Sequence, residues 1–177
     1  MFLLGGVYFS AQKYVDACGI LKKVLVRRQN LLGDLHTDTL RTMHYLSLSY
    51  QRLGNFTEAE PLLEQCLQQC EENIGSRDGR ALQIMHDLAI LYTQQYKYLL
   101  AEPLLKTCLE MRREILGDDH VDVLACIKGL ADLYFLRGDY QKAQPLYVTK
   151  LEAHRRIDGE DNLETVNILY LASALRF

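Results

Sequence analysis

Apolar residues recur along this chain at spacings of three and four, and the recurrence itself repeats. From Tyr14 to about Asn30 they fall at Ala17, Ile20, Leu21, Val24 and Leu25, with Leu31 beyond, which is one stripe of an amphipathic helix. The next helix is predicted from about Thr37 to Leu53 on Leu40, Met43, Leu46, Leu48 and Tyr50, and its partner from about Thr57 to Asn73. A second pair covers Ala81 to Gly117, first on Leu82, Met85, Leu88, Leu91 and Tyr92, then on Tyr98, Ala101, Leu105, Cys108 and Leu109. A third begins near Val121 with Leu124, Ile127, Leu130, Leu133 and Tyr134, turns at Gly138-Asp139, and continues through Ala143 to Ile157. No stretch carries the alternation of a strand.

A shift of 42 positions carries Ala17 onto Ala59, Ala101 and Ala143, Pro61 onto Pro103 and Pro145, and Gly33 onto Gly75, Gly117 and Gly159. The same shift joins Tyr8, Tyr50, Tyr92 and Tyr134, then Tyr14, Phe56, Tyr98 and Tyr140. A fixed period of roughly 20–50 residues marks a solenoid, in which each unit buries its apolar face only by stacking on the next. The expectation is an all-α, right-handed solenoid of antiparallel helix pairs in one domain over 1–177, with a partial unit 1–33, units 34–75, 76–117 and 118–159, and an incomplete unit 160–177. Gly33, Gly75 and Gly117 sit where a glycine ends a helix. Asn55 and Thr57 are candidate caps for the helix after Gly54, and Pro61 is expected near its first turn, where a missing N–H costs little.

By this reading the sequence opens inside a first helix, since Leu4 and Tyr8 match Leu46 and Tyr50. It closes with another first helix on Val166, Leu169, Ala172 and Leu175. Ends of that kind predict continuation of the array or self-association through uncovered apolar faces.

Composition narrows the partners. A net charge of −3 over 177 residues offers no basic face for nucleic acid or anionic membrane. The start, MFLLGGVYFS, has no basic lead and no cleavage pattern, and no window approaches the roughly 18 apolar residues of a membrane span. Cys18, Cys66, Cys70, Cys108 and Cys126 are odd in number and lie inside helices, so they are expected as packed, reduced thiols in a cytoplasmic protein. Cys66 and Cys70 have no further ligands at zinc spacing.

Leu46 three residues past Met43, Tyr50 four further on, then Gly54, Phe56, Ala59 and the small Cys66 resemble the tetratricopeptide signature rather than a HEAT or armadillo pattern. Ala59-Glu60-Pro61-Leu62-Leu63, Ala101-Glu102-Pro103-Leu104-Leu105, Leu32-Gly33-Asp34-Leu35-His36 and Leu116-Gly117-Asp118-Asp119-His120 resemble the longer repeats of kinesin light chains and nephrocystin-3-like proteins. The resemblance implies a scaffold for protein partners, with no cofactor. The chain departs from it in having Thr37, Gly79, Val121 and Leu163 where those repeats have a proline after the loop histidine. It also has His44-Tyr45, His86-Asp87 and Lys128-Gly129 where they have paired asparagines that hold peptide backbone in the groove.

Nothing supports catalysis: no Ser-His-Asp, Cys-His or Gly-rich phosphate arrangement has local support, so no enzyme is expected and no catalytic or metal residue is assigned. His36 and His120 are expected to bond to adjacent helix ends. His44 and His86 sit at equivalent positions on neighbouring first helices, and His154 is expected to be solvated beside Arg155 and Arg156. Glu110 and Glu114 beside Arg112 and Arg113 are expected as a solvated face. First helices line the concave side of a tetratricopeptide superhelix, and spacings of four, three and four from Arg41 place Tyr45, Leu48 and Arg52 on that side. Gln83, Asp87, Ile90 and Gln94 follow in the next unit, then Ala125, Gly129, Asp132 and Leu136. Arg41, Tyr45 and Arg52 suit an acidic or aromatic-acidic peptide. The reading is a non-catalytic interaction scaffold, possible forms of which include a kinesin light chain-like adaptor; the alternative is a regulatory sensor module of a larger signalling ATPase or other enzyme.

Overall fold

The structure, a computed structural model, describes residues 2–158. Every regular element among them is an α-helix: α1 Phe2–Ser10, α2 Tyr14–Leu32, α3 Thr37–Arg52, α4 Phe56–Ile74, α5 Gly79–Gln94, α6 Tyr98–Leu116, α7 Val121–Leu136 and α8 Tyr140–Asp158. The architecture is an all-α repeat solenoid of helix pairs. The helices group into two compact units, Met1–Leu91 and Tyr92–Phe177, and the division falls within α5. Val166, Leu169, Ala172 and Leu175 lie outside the described residues.

One turn recurs at every pair. Lys13, Asn55, Lys97 and Asp139 donate their N–H to the carbonyls of Tyr8, Tyr50, Tyr92 and Tyr134, at 2.8–2.9 Å. This bond spans five residues and closes a Schellman turn around a residue in the left-handed region. Gly54 (φ 75°) and Gly138 (φ 81°) occupy that position without steric cost, whereas Gln12 (φ 59°) and Tyr96 (φ 61°) hold it against the Cβ penalty.

Two expectations about the second helices are corrected. Asn55 precedes α4 but makes no side-chain cap, because its backbone belongs to the preceding turn. Each second helix starts at its aromatic residue, Tyr14, Phe56, Tyr98 or Tyr140, so Pro61, Pro103 and Pro145 are sixth in their helices. There a proline removes an internal hydrogen bond. The residues four back, Thr57, Leu99 and Gln141, are exposed.

First helices are capped more effectively. His36 Nδ1 accepts the Asp38 N–H at 3.1 Å and His120 Nδ1 accepts the Asp122 N–H at 3.1 Å, as expected of these loop histidines. Asp78, at the same place in the repeat, accepts the Arg80 N–H at 2.9 Å. That bond, foremost, holds the Asp78 carboxyl below its ordinary range.

The core follows the period. Ala17, Ala59, Ala101 and Ala143 are wholly buried, as nearly are Leu46, Leu88 and Leu130, so small and large side chains interleave at fixed places in each unit. All five cysteines are buried thiols. Arg112 is only 2% exposed, which overturns its assignment to a solvated face. Its Nη1 donates to the Asp122 carbonyl at 3.0 Å, repeating Arg28, whose Nη1 donates to the Asp38 carbonyl at 2.8 Å and to Thr42 Oγ1 at 2.7 Å. A long side chain near the end of one helix reaches the first turn of the next. His154, in the same repeat position, is half-buried rather than solvated.

Replacing Leu88 by Ala is expected to cost about 2–5 kcal/mol, as large-to-small changes in a packed core do. The same change at Leu31, 81% exposed, should cost under about 0.5 kcal/mol. Denaturant unfolding of both variants measures this, and equal losses would contradict the register.

Candidate functional site

A cavity of about 600 Å³ opens in the first unit along α3, and its lining runs from Thr37 to Arg52. That span is roughly 22 Å of helix at about 1.5 Å per residue. Phe9 of α1, Cys70 of α4, and Arg80, Gln83, Ile84 and Asp87 of α5 complete the walls. The structure brings five of the expected site residues together here: Arg41, Tyr45, Arg52, Gln83 and Asp87, with Leu48 beside them. Gln94 and Asp132 belong to the second unit and line no part of this cavity. Gln94 is exposed on the last turn of α5. Asp132 is half-buried, and its carboxylate accepts from Lys128 Nζ at 2.5 Å and Tyr147 Oη at 2.6 Å. Burial first, then that bond to Asp132, pushes the Tyr147 hydroxyl pKa well up.

The floor is apolar. The Phe9 ring meets Tyr45 edge-on at 5.8 Å, and Leu40, Leu48 and Ile84 extend the surface. Three arginines stand among these groups, each with five donors to offer. Arg41 Nη2 pairs with Asp38 Oδ1 at 2.8 Å. Arg80 bonds Asp78 Oδ1 through Nε at 3.1 Å and Thr37 Oγ1 through Nη1 at 3.3 Å. Arg52 is exposed.

His44 and Asp87 join across this wall. His44 Nε2 lies 2.7 Å from Asp87 Oδ2, and because an ionised carboxylate only accepts, the imidazole nitrogen is the donor. Gln83 Nε2 reaches both Asp87 oxygens at 3.1 Å, and His86 Nδ1 lies 3.5 Å from Oδ1. Burial alone would raise the Asp87 carboxyl, but these donors outweigh it and hold the group well below the ordinary carboxylate range.

Sequence reasoning missed Phe9, His44, Cys70 and Arg80. Phe9 carries no periodic signal, because Gln51 stands one shift away. His44 and Asp87 are separated by one repeat plus one residue, the spacing of neighbours on adjacent first helices. Cys70 and Arg80 are departures from the period: Arg28 and Arg112 stand at the first position in other copies, Asp38 and Asp122 at the second. Cys70 thus replaces a buried guanidinium, and Arg80 reverses a charge, both in the wall of the cavity.

The tetratricopeptide repeat pattern matches residues 1–72, 38–113 and 80–149. The chain belongs to the tetratricopeptide repeat family. Its fold is that of kinesin light chain-like arrays. The nearly identical TPR-like repeats of a Podosopora anserina kinesin light chain-like protein superpose with a TM-score of 0.84 at 22% identity, over 98% of this chain and 82% of that one. A point variant of those repeats gives 0.85 at the same identity and coverage. BtubC (BKLC) from P. vanneervenii gives 0.83 at 20% identity, over 97% of this chain and 68% of that one. No curated protein matches the chain in sequence. Tetratricopeptide arrays are protein-interaction scaffolds, and this chain has that architecture.

Replacing Asp87 by Ala strips His44 and Gln83 of a charged acceptor and should cost about 1–3 kcal/mol near neutral pH. A depressed folded-state carboxyl stabilises the fold fully above its unfolded value, near pH 4 for aspartate, and loses that contribution as pH falls below it. The native protein should therefore lose stability below about pH 4 more steeply than the Asp87→Ala variant. Urea titrations at several acidic pH values give the comparison, and identical slopes would contradict the assignment.

Proposed function

We propose that this chain is a non-catalytic scaffold that takes an extended or helical segment of a partner protein in the cavity along α3. The observation that carries the reading is the meeting, on one wall-lined surface, of an apolar floor with Arg41, Arg52 and Arg80. Side-chain carboxylates of the segment would engage the guanidiniums through paired hydrogen bonds. An apolar or aromatic side chain would pack against Phe9, Tyr45 and Leu48. His44 and Asp87, which replace asparagines of the related repeats, would offer hydrogen bonds to the segment's backbone. A cytoplasmic adaptor of the kinesin light chain-like kind is one specialised form of such a scaffold. Nucleic acid and membrane are not the partners proposed.

Selection of a displayed peptide library on the purified chain tests the proposal, and acidic sequences with an aromatic or branched residue should be enriched. The double variant Arg41→Glu, Arg52→Glu should weaken the selected peptide at least tenfold, since hydrogen bonds to charged groups contribute about 1.5–3 kcal/mol each. Both side chains are exposed and the surface Arg41–Asp38 pair contributes under about 1 kcal/mol, so helical circular dichroism should stay unchanged and melting should shift only slightly. Undiminished binding would place the site elsewhere on the molecule.

A further inference from the structure

In the core of the second unit, Cys108 of α6 and Cys126 of α7 are both wholly buried, and their sulfurs lie 3.5 Å apart with the Cys126 thiol donating to Cys108. Arg112, one turn past Cys108 on the same helix, is also buried and donates from Nη1 to Cys126 Sγ at 3.5 Å. Arg112 thus places a cation beside the Cys126 sulfur, where it can stabilise the negative charge left when that thiol loses its proton. The remaining thiols are placed differently. Cys66 and Cys70 share α4, and burial foremost, then Cys70, pushes the Cys66 thiol up to about 12. Burial likewise raises Cys70 and Cys18. The equivalents of the Cys108 and Cys126 pair are Val24 with Thr42 and Cys66 with Ile84, so among these junctions two thiols meet only where α6 packs on α7.

We infer that Cys108 and Cys126 form a reversible disulfide pair, a modification site through which a small peroxide ties α6 to α7. The Cys126 thiolate attacks one oxygen of hydrogen peroxide. The O–O bond breaks, hydroxide leaves and takes up the proton released by the thiol, and Cys126 becomes a sulfenic acid. The Cys108 sulfur then attacks the Cys126 sulfur, losing its own proton as the sulfenic oxygen departs as water. Two thiols are oxidised to one disulfide, and one peroxide is reduced to two waters. The sulfurs, 3.5 Å apart, must approach by about 1.5 Å to reach the length of a disulfide, roughly 2.05 Å. Peroxide is small and uncharged, and it enters during the local openings that packed helices undergo. The cross-link bridges residues 18 apart. It restricts the unfolded chain and so raises the melting temperature of the oxidised form.

The whole chain, reduced and then exposed to a modest excess of hydrogen peroxide, is alkylated in denaturant and mapped by mass spectrometry. The expected product has lost two hydrogens, links the peptides of Cys108 and Cys126, melts several degrees higher, and reverts with dithiothreitol. Cys126→Ser should abolish the link and leave Cys108 open to alkylation, while Arg112→Lys, which keeps the cation, should retain it. The wild-type map stands without either variant. Alkylation of both Cys108 and Cys126 after oxidation, a link between Cys66 and Cys70 in their place, or a sulfinic acid at Cys126 without a link would each overturn the inference.

Discussion

A helix pair of this chain cannot bury its own apolar stripe, and the rest of the structure depends on that constraint. Leu46, Leu88 and Leu130 have shed nearly all solvent, and so have Ala59, Ala101 and Ala143. Interleaving large with small residues is what lets packed helices approach closely. Because contacts form chiefly between neighbours, each copy must present the same shape at the same place, and the period of 42 is the record of that demand in the sequence. The Schellman turns after Tyr8, Tyr50, Tyr92 and Tyr134 keep the helices of each pair in register. Tyr96 shows how firmly the turn is imposed, since a bulky residue adopts the glycine conformation there.

Where the demand relaxes, the surface becomes individual. A guanidinium on a second helix reaches the first turn of the next helix at Arg28 and at Arg112, but the corresponding place in α4 holds Cys70. Arg80 then stands where other copies have Asp38 and Asp122. Both departures line the cavity whose walls also hold Arg41 and Arg52. Asp87 keeps its charge inside that cavity because His44 and Gln83 supply donors that offset the loss of water. The repeat therefore provides the frame, and single substitutions within it provide chemistry to one part of the array.

Much of this was legible in the sequence. Helix identity, the glycine stops and the buried alanines all follow from spacing, because each repeats a constraint several times over. Helical spacing, joined to the family resemblance that puts first helices on the concave side, grouped Arg41, Tyr45, Arg52, Gln83 and Asp87. It also grouped Gln94 and Asp132 with them, and those two do not line the cavity. Phe9 could not be placed, since its partner Tyr45 lies 36 residues away with no periodic relation. Arg112 was misread because a charged residue between acidic neighbours looks solvated, and only packing shows a carbonyl within its reach. Pro61 was placed too early in its helix because the true start, Phe56, is an aromatic residue rather than a familiar cap.

The central claim is that the face of α3 and α5 lining the cavity receives a partner segment. Heteronuclear NMR of the labelled chain, titrated with a library-selected acidic peptide, tests it most directly. The account predicts that the largest amide and side-chain shifts fall on Phe9, His44, Tyr45 and Asp87, while exposed residues of α2 and α4 such as Lys23, Val26 and Gln68 stay still. Shifts concentrated on those outer residues, with His44 and Asp87 unmoved, would contradict it.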